Sequence, residues 1–249
     1  MTILLNNNLD VGPAGTLISV ANSDDNGDNA FDVVDSAGAA CTYVDAVDMP
    51  GAAYVAEFDT AGGAARSPSC AWSTSFGSRS HFWIRFYCRF NTTPPTGIFS
   101  HIFMAFNGST SLGGVGANEW GNFYFVDQTS IPSPSFYAFA PYILTLGEWV
   151  RIEVEFSYDA PSTLWTINGF LYTGDEVQSS ISGAGIFTAL GTVNSVEIGY
   201  PIAHTNYEPV QISGFAVSID DWIGLAPRQH KGWPNIQPRT LAARHDASW

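Results

Sequence analysis

The chain has 249 residues, 45% of them hydrophobic, with eight Trp, ten Tyr, 17 Phe, 24 Gly and 14 Pro. Its net charge of −14 excludes nucleic acid and anionic membrane surfaces as natural partners, because an acidic body repels both. No apolar stretch approaches the roughly 18 residues that cross a bilayer, and no 3.6-residue apolar period persists over three turns, so the sequence reads as all-β.

Residues 1–16 are read as an N-terminal segment ahead of the domain. The run Ile3-Leu4-Leu5 is too short for a signal peptide, and no basic residue precedes it. The protein is therefore expected to be made in a cytoplasm without an export signal. A short edge strand follows near Leu17–Val20, then a polar loop, then a strand into Phe31–Val34. Within the loop, Asp24, Asn26 and Asp28, with Asp35 eleven residues after Asp24, partly imitate a Ca²⁺ loop. Asn29 stands where that loop needs glycine, and Asp35 where it needs a bidentate Glu. A Ca²⁺ ion and a solvated turn both stay open, and Ca²⁺ is the one cofactor considered.

Further strands are expected near residues 53–58, 82–90, 98–106, 122–127 and 136–144. In Phe82-Trp83-Ile84-Arg85-Phe86-Tyr87-Cys88-Arg89-Phe90 the alternation places Phe82, Ile84, Phe86, Cys88 and Phe90 on a buried face. The opposite face presents Trp83, Arg85, Tyr87 and Arg89. Arg alternating with large aromatics marks protein interfaces and sugar-stacking surfaces. The other reading is that these residues fill a covered second layer, or that the arginines pair across strands with Glu153 and Glu155. Trp120 and Tyr124 are similar interaction or glycan candidates.

Residues 149–156 alternate again, with Val150, Ile152, Val154 and Phe156 inward and Arg151, Glu153 and Glu155 on a face expected to be wet. Residues 164–172 follow, and Asn168-Gly169 between apolar runs predicts a tight hairpin turn. Later strands are expected at 193–199 and 210–225. Residues 226–249 break all alternation with Pro227, Pro234 and Pro238. This tail holds four basic residues against one acidic, whereas the rest holds five against 22. It is expected to dock on a partner through Arg228, Lys231, Trp233, Arg239, Arg244 and Trp249, the acidic body of a neighbouring copy being its natural complement.

The three cysteines, Cys41, Cys70 and Cys88, lack metal-ligand spacing. Cys88 reads as a small core hydrophobe. For Cys41 and Cys70, a mutual bridge and two separate thiols are both open. The five histidines show no clustered spacing, and no nucleophile or phosphate-binding motif is present.

The strand that opens at Trp149, followed by the 164–172 segment with its Asn-Gly, resembles the laminin-G-like, concanavalin A-like jelly rolls. So does Phe215-Ala216-Val217-Ser218-Ile219-Asp220-Asp221-Trp222-Ile223, which is similar to their closing strand. Asn22-Ser23 through Phe31-Asp32-Val33-Val34 resembles the opening of modules in actinobacterial and actinobacteriophage proteins. The resemblance implies an antiparallel β-sandwich (jelly roll) over residues 17–225, with an irregular C-terminal extension at 226–249. Family glycosidases need paired carboxylates on one strand. Here Glu57-Phe58-Asp59 starts such a motif, but Ala61 and Gly62 follow, and Glu153 and Glu155 have Val154 between them.

The expected function is accordingly non-enzymatic. It is that of a bacteriophage virion structural protein, in the tail, its tip or a decoration layer, since a virion protein needs no export signal to reach the exterior. Other virion proteins and further copies of itself are the expected partners, a trimer by analogy with phage appendages, with host-surface carbohydrate as a further ligand. A free lectin-like module is the alternative, and a glycoside hydrolase a weaker one.

Overall fold

The computed structural model describes residues 2–23, 29–35, 40–49, 51–60, 68–94, 100–127, 135–158, 164–188, 192–201 and 208–224. Among them run fifteen strands: β1 (Ile3–Asn7), β2 (Val33–Asp35), β3 (Ala40–Asp45), β4 (Tyr54–Asp59), β5 (Ser69–Trp72), β6 (His81–Phe90), β7 (Ser100–Asn107) and β8 (Thr110–Ala117), then β9 (Phe123–Asp127), β10 (Ser135–Ala138), β11 (Val150–Tyr158), β12 (Leu164–Thr173), β13 (Glu176–Thr188), β14 (Ser195–Gly199) and β15 (Val210–Ser218).

They build two antiparallel sheets that face each other as a sandwich of jelly-roll type. The first has the order β13-β12-β11-β6-β15-β4-β3, with β1 also on β15; the second has the order β10-β9-β8-β7-β14-β5-β2. β15 divides one edge between two neighbours. Val210–Ile212 pair with β4, and Phe215–Ser218 pair with β1. Gly214, at φ 58°, lies where the β15–β6 register shifts, between Ser213 and Ala216. A left-handed residue at a bulge bends the strand, and the bend lets β15 serve both partners.

The two inner faces meet in a core dominated by aromatic rings. Phe86, Phe156 and Phe215 of the first sheet meet Phe103 of the second at centroid distances of 6.1, 5.8 and 6.3 Å. Phe82, Ile84, Phe86, Cys88 and Phe90 are all fully buried, as are Val150, Ile152, Val154 and Phe156, so both inward faces are as expected.

Three expectations are corrected. β1 lies inside the segment placed ahead of the domain, and Leu5 and Leu9 are fully buried in the core. Residues 2–7 are therefore part of the sandwich. Leu17 makes only an isolated bridge to Thr42, and Val20–Asn22 form a 3₁₀ turn instead of an edge strand. Asn168-Gly169 is not a turn. Both residues lie inside β12, paired to Glu155 and Val154 on one side and to Ser182 and Ile181 on the other. A Cβ on Gly169 would stand 2.9 Å from Ile181 Cγ2 and 3.1 Å from the Phe139 ring. The glycine supplies room for a core phenylalanine.

Candidate functional site

The outer face of the first sheet, which carries Trp83, Arg85, Tyr87 and Arg89, is covered over Trp83 and Arg85, whereas Tyr87 and Arg89 are half-buried. β15 ends at Ser218, and residues 219–224 turn back over this face as a strap. Ile223 packs with Trp83 and Ala216, and the Trp222 ring sits edge-on to Phe170 at 5.0 Å. Arg85 donates from Nε to the Gly214 carbonyl at 3.1 Å and from Nη1 to the Gly224 carbonyl at 3.2 Å. The Gly224 N–H donates to Glu153 Oε2 at 3.2 Å.

These polar groups are interior. Arg85 is 1% exposed, Glu153 2% and Arg151 6%, so the face read as wet is dry at its centre. Arg151 Nε lies 3.2 Å from Glu153 Oε1 in an ion pair that lacks hydrogen-bond alignment, and its guanidinium rests 3.8 Å over the Tyr172 ring. Burial raises the Glu153 carboxyl above the usual carboxylate range, opposed by Arg151, the Gly224 N–H and Arg85. Burial also lowers the Arg85 guanidinium. Further along, Arg89 donates to the Val47 carbonyl at 2.5 Å and Trp149 Nε1 donates to it at 2.8 Å. Tyr87 is half-buried against Met49, Val55 and Trp149. Of the two readings of this face, the covered layer is the one observed over Trp83 and Arg85; the hydrogen bonds of Arg85 and Arg89 run to backbone carbonyls, and Glu153 pairs with Arg151 on its own strand.

Glu57, Glu153 and Glu155, the glutamates considered for glycoside cleavage, each have partners among the described residues. Glu155 accepts from His81 Nε2 and from Asn168 Nδ2, each at 2.8 Å, when the His81 ring nitrogen carries its proton. Glu57 accepts from Gln211 at 3.0 Å. It stands on β4, three strands from β11, roughly 14 Å at ordinary strand spacing and beyond the reach of either hydrolytic geometry.

A different set of residues meets solvent at the rim of the sandwich. The loop 118–122 joins β8 to β9, and Asn118 organises it from a buried position. Its Oδ1 accepts from the N–H groups of Trp120 at 3.1 Å and Asn122 at 2.9 Å, and its Nδ2 donates to the Tyr124 hydroxyl at 2.8 Å. Gly121, at φ 74°, makes the reversal. Its carbonyl accepts from the Leu144 N–H at 2.7 Å, which ties this loop to the segment that precedes β11. Trp120 stands 68% exposed on one loop, and Ile143 (63%) and Leu146 (48%) stand exposed on the other. A large flat ring held out by a pinned backbone loses little entropy on contact, which suits stacking on the apolar face of a sugar ring. Tyr124 supports the loop and does not present itself, since its hydroxyl is engaged and its ring packs edge-on to Phe136.

No family model matches the sequence, and a search of curated proteins finds no match. Solved structures do match. The conserved carbohydrate esterase of the Shiga toxin-encoding bacteriophage phi24B is similar at 11% identity and a TM-score of 0.57, over 88% of this chain and 99% of that one. The binding domain of Paraclostridial Mosquitocidal Protein 1 is similar at 11% identity and a TM-score of 0.52, over 87% of this chain and 48% of that one. At such identities the likeness establishes the shared β-sandwich alone.

Among the described residues, no group of three or more His, Cys, Asp or Glu could hold a metal ion. Asp24, Asn26 and Asp28 of the expected Ca²⁺ loop lie outside the described residues, and Asp35 closes β2. The tail candidates Arg228, Lys231, Trp233, Arg239, Arg244 and Trp249 also lie outside them. Ile143 and Leu146 escaped the sequence reading. They fall where a strand was expected at 136–144 and beyond it, whereas β10 ends at Ala138. The Pro141 that follows was the available signal that the ladder stops.

Proposed function

We propose that this chain is a non-enzymatic virion protein of a bacteriophage, of the actinobacteriophage type, that adheres to host-surface carbohydrate through the Trp120 loop. The observation that carries the reading is the exposed Trp120 on a loop pinned by the buried Asn118. A sandwich shared with a phage protein over nearly the whole of that protein's chain supports the phage setting. The acidic body, which repels nucleic acid, agrees with an outer position in the particle.

Trp120→Ala is expected to weaken binding to purified host wall polysaccharide by about 30-fold, the scale of an aromatic hot spot. The same change leaves unfolding free energy within about 0.5 kcal/mol, because the ring touches solvent. Isothermal titration with denaturation of the same samples measures both. Equal affinity in the two proteins removes the loop from the function.

The basic tail is the proposed assembly element, docking on other virion proteins or on a second copy. The described core residues run from Leu5 to Val217, so a chain ending at Leu225 is expected to keep a cooperative thermal transition while losing self-association in sedimentation velocity. A truncated protein that unfolds would assign the tail to the domain. A free lectin predicts unchanged glycan binding and an unchanged monomer in both forms.

A further inference from the structure

Cys41 and Cys70 approach one another from opposite sheets. β3, which carries Cys41, is the last strand of the first sheet; β5, which carries Cys70, lies one strand from the end of the second. The Cys41 thiol lies 3.6 Å from the carbonyl oxygen of Asp35 on β2, and donates to it. In the β2–β5 ladder Asp35 pairs with Ser69 and Val34 pairs with Cys70. Cys41 therefore reaches across the sandwich to the register position beside Cys70, and both thiols belong to the same buried core. Both are free and fully buried, as is Cys88, which sits elsewhere on the core face of β6.

We propose that Cys41 and Cys70 are an oxidisable pair whose disulfide ties the two sheets together at the edge closed by β3, β5 and β2. This inference stands independently of the carbohydrate reading. The reaction breaks two S–H bonds and forms one S–S bond. The two protons and two electrons are taken up by one glutathione disulfide, whose own S–S bond breaks to give two glutathione thiols. Burial pushes the Cys70 thiol well up, with Cys41 adding to the effect, and the thiolate is the species that attacks. Oxidation of the folded protein is therefore slow and proceeds through opening of this edge. It is favoured where a cytoplasmic thiol pool is lost, as happens to any protein released from a cell.

The test exposes the full-length protein to oxidised glutathione, both when folded and during refolding from urea. Remaining thiols are then alkylated under denaturing conditions and counted by intact mass. The expected product carries one alkyl group, at Cys88, and peptide mapping joins Cys41 to Cys70. Its Tm rises by about 5–15 °C, the range for closing a loop of this length in a domain of this size, and dithiothreitol reverses the rise. Cys88→Ser gains the same increment, whereas Cys41→Ser and Cys70→Ser gain none. Three alkyl groups after both treatments, a bridge that includes Cys88, or a Cys41–Cys70 bridge with no rise in Tm would each overturn the proposal.

Discussion

Glu153→Ala is expected to destabilise the protein by about 3–5 kcal/mol, the cost of leaving a buried charge without its counter-ion. Glu153 is the carboxylate between two interior guanidinium groups. Arg151 makes the ion pair along the strand, and Arg85 lies opposite in the β11–β6 register. Arg85 Nη2 and Arg151 Nη1 are already buried without hydrogen-bond partners among the described residues, so no spare acceptor stands ready to replace the carboxylate. The substitution also removes the acceptor of the Gly224 N–H, which loosens the strap that covers the face. Urea denaturation at neutral pH measures the loss. Glu155→Ala is the matched control, two residues along on the same face. Its side chain is 19% exposed, and its removal costs about 1 kcal/mol or less. Similar losses in the two variants would mean that the charges at the centre of the sheet are solvated after all.

The same pair of glutamates marks how far the fold was legible in the sequence. Alternation along β11 and β6 assigned the inward faces correctly, because every second residue is apolar and only one arrangement buries them all. It assigned the outward face of β11 wrongly and left that of β6 open between exposed and covered. Arg151, Glu153 and Arg85 have the same letters whether water or protein lies above them, and the cover comes from residues 219–224, far along the chain. Asn168-Gly169 failed for a related reason. Glycine is needed both where φ is positive and where a neighbour takes the space of a side chain, and only the position of Phe139 tells these apart.

β8 and β13 were invisible because period-two reasoning requires side chains. β8 has glycine at 113, 114 and 116, and β13 has serine at 179, 180 and 182. At the rim, Trp120 was legible as a large aromatic in a polar, glycine-containing stretch. Tyr124 is a large aromatic in the same stretch, yet its ring packs edge-on to Phe136 and its hydroxyl accepts from Asn118.

Trp72→Ala is expected to cost about 3–5 kcal/mol through the transfer and cavity terms of a buried aromatic. Trp72 sits on β5 of the second sheet, and its ring stacks on Phe215 of β15, in the first sheet, at 4.6 Å. On its other contact, Phe31 lies 4.6 Å away at a tilt of 47°. One indole therefore joins both sheets to the segment that enters β2. Its Nε1 donates to the Asn29 carbonyl at 3.1 Å, and Asn29 Oδ1 accepts from the N–H of Asn6 in β1. Loss of the ring thus empties a core site and also detaches a link to β1. Trp72→Phe restores part of the stacking without the donor and should recover a substantial share of the loss, which separates the packing contribution from the hydrogen bond. Equilibrium unfolding of the two variants beside Trp120→Ala sets a fully buried tryptophan against an exposed one in the same chain. A Trp72→Ala protein as stable as the parent would mean that the Phe31–Trp72–Phe215 contact does not hold the sheets together. The exposed Trp120 can be replaced without such a loss, which leaves it available for recognition.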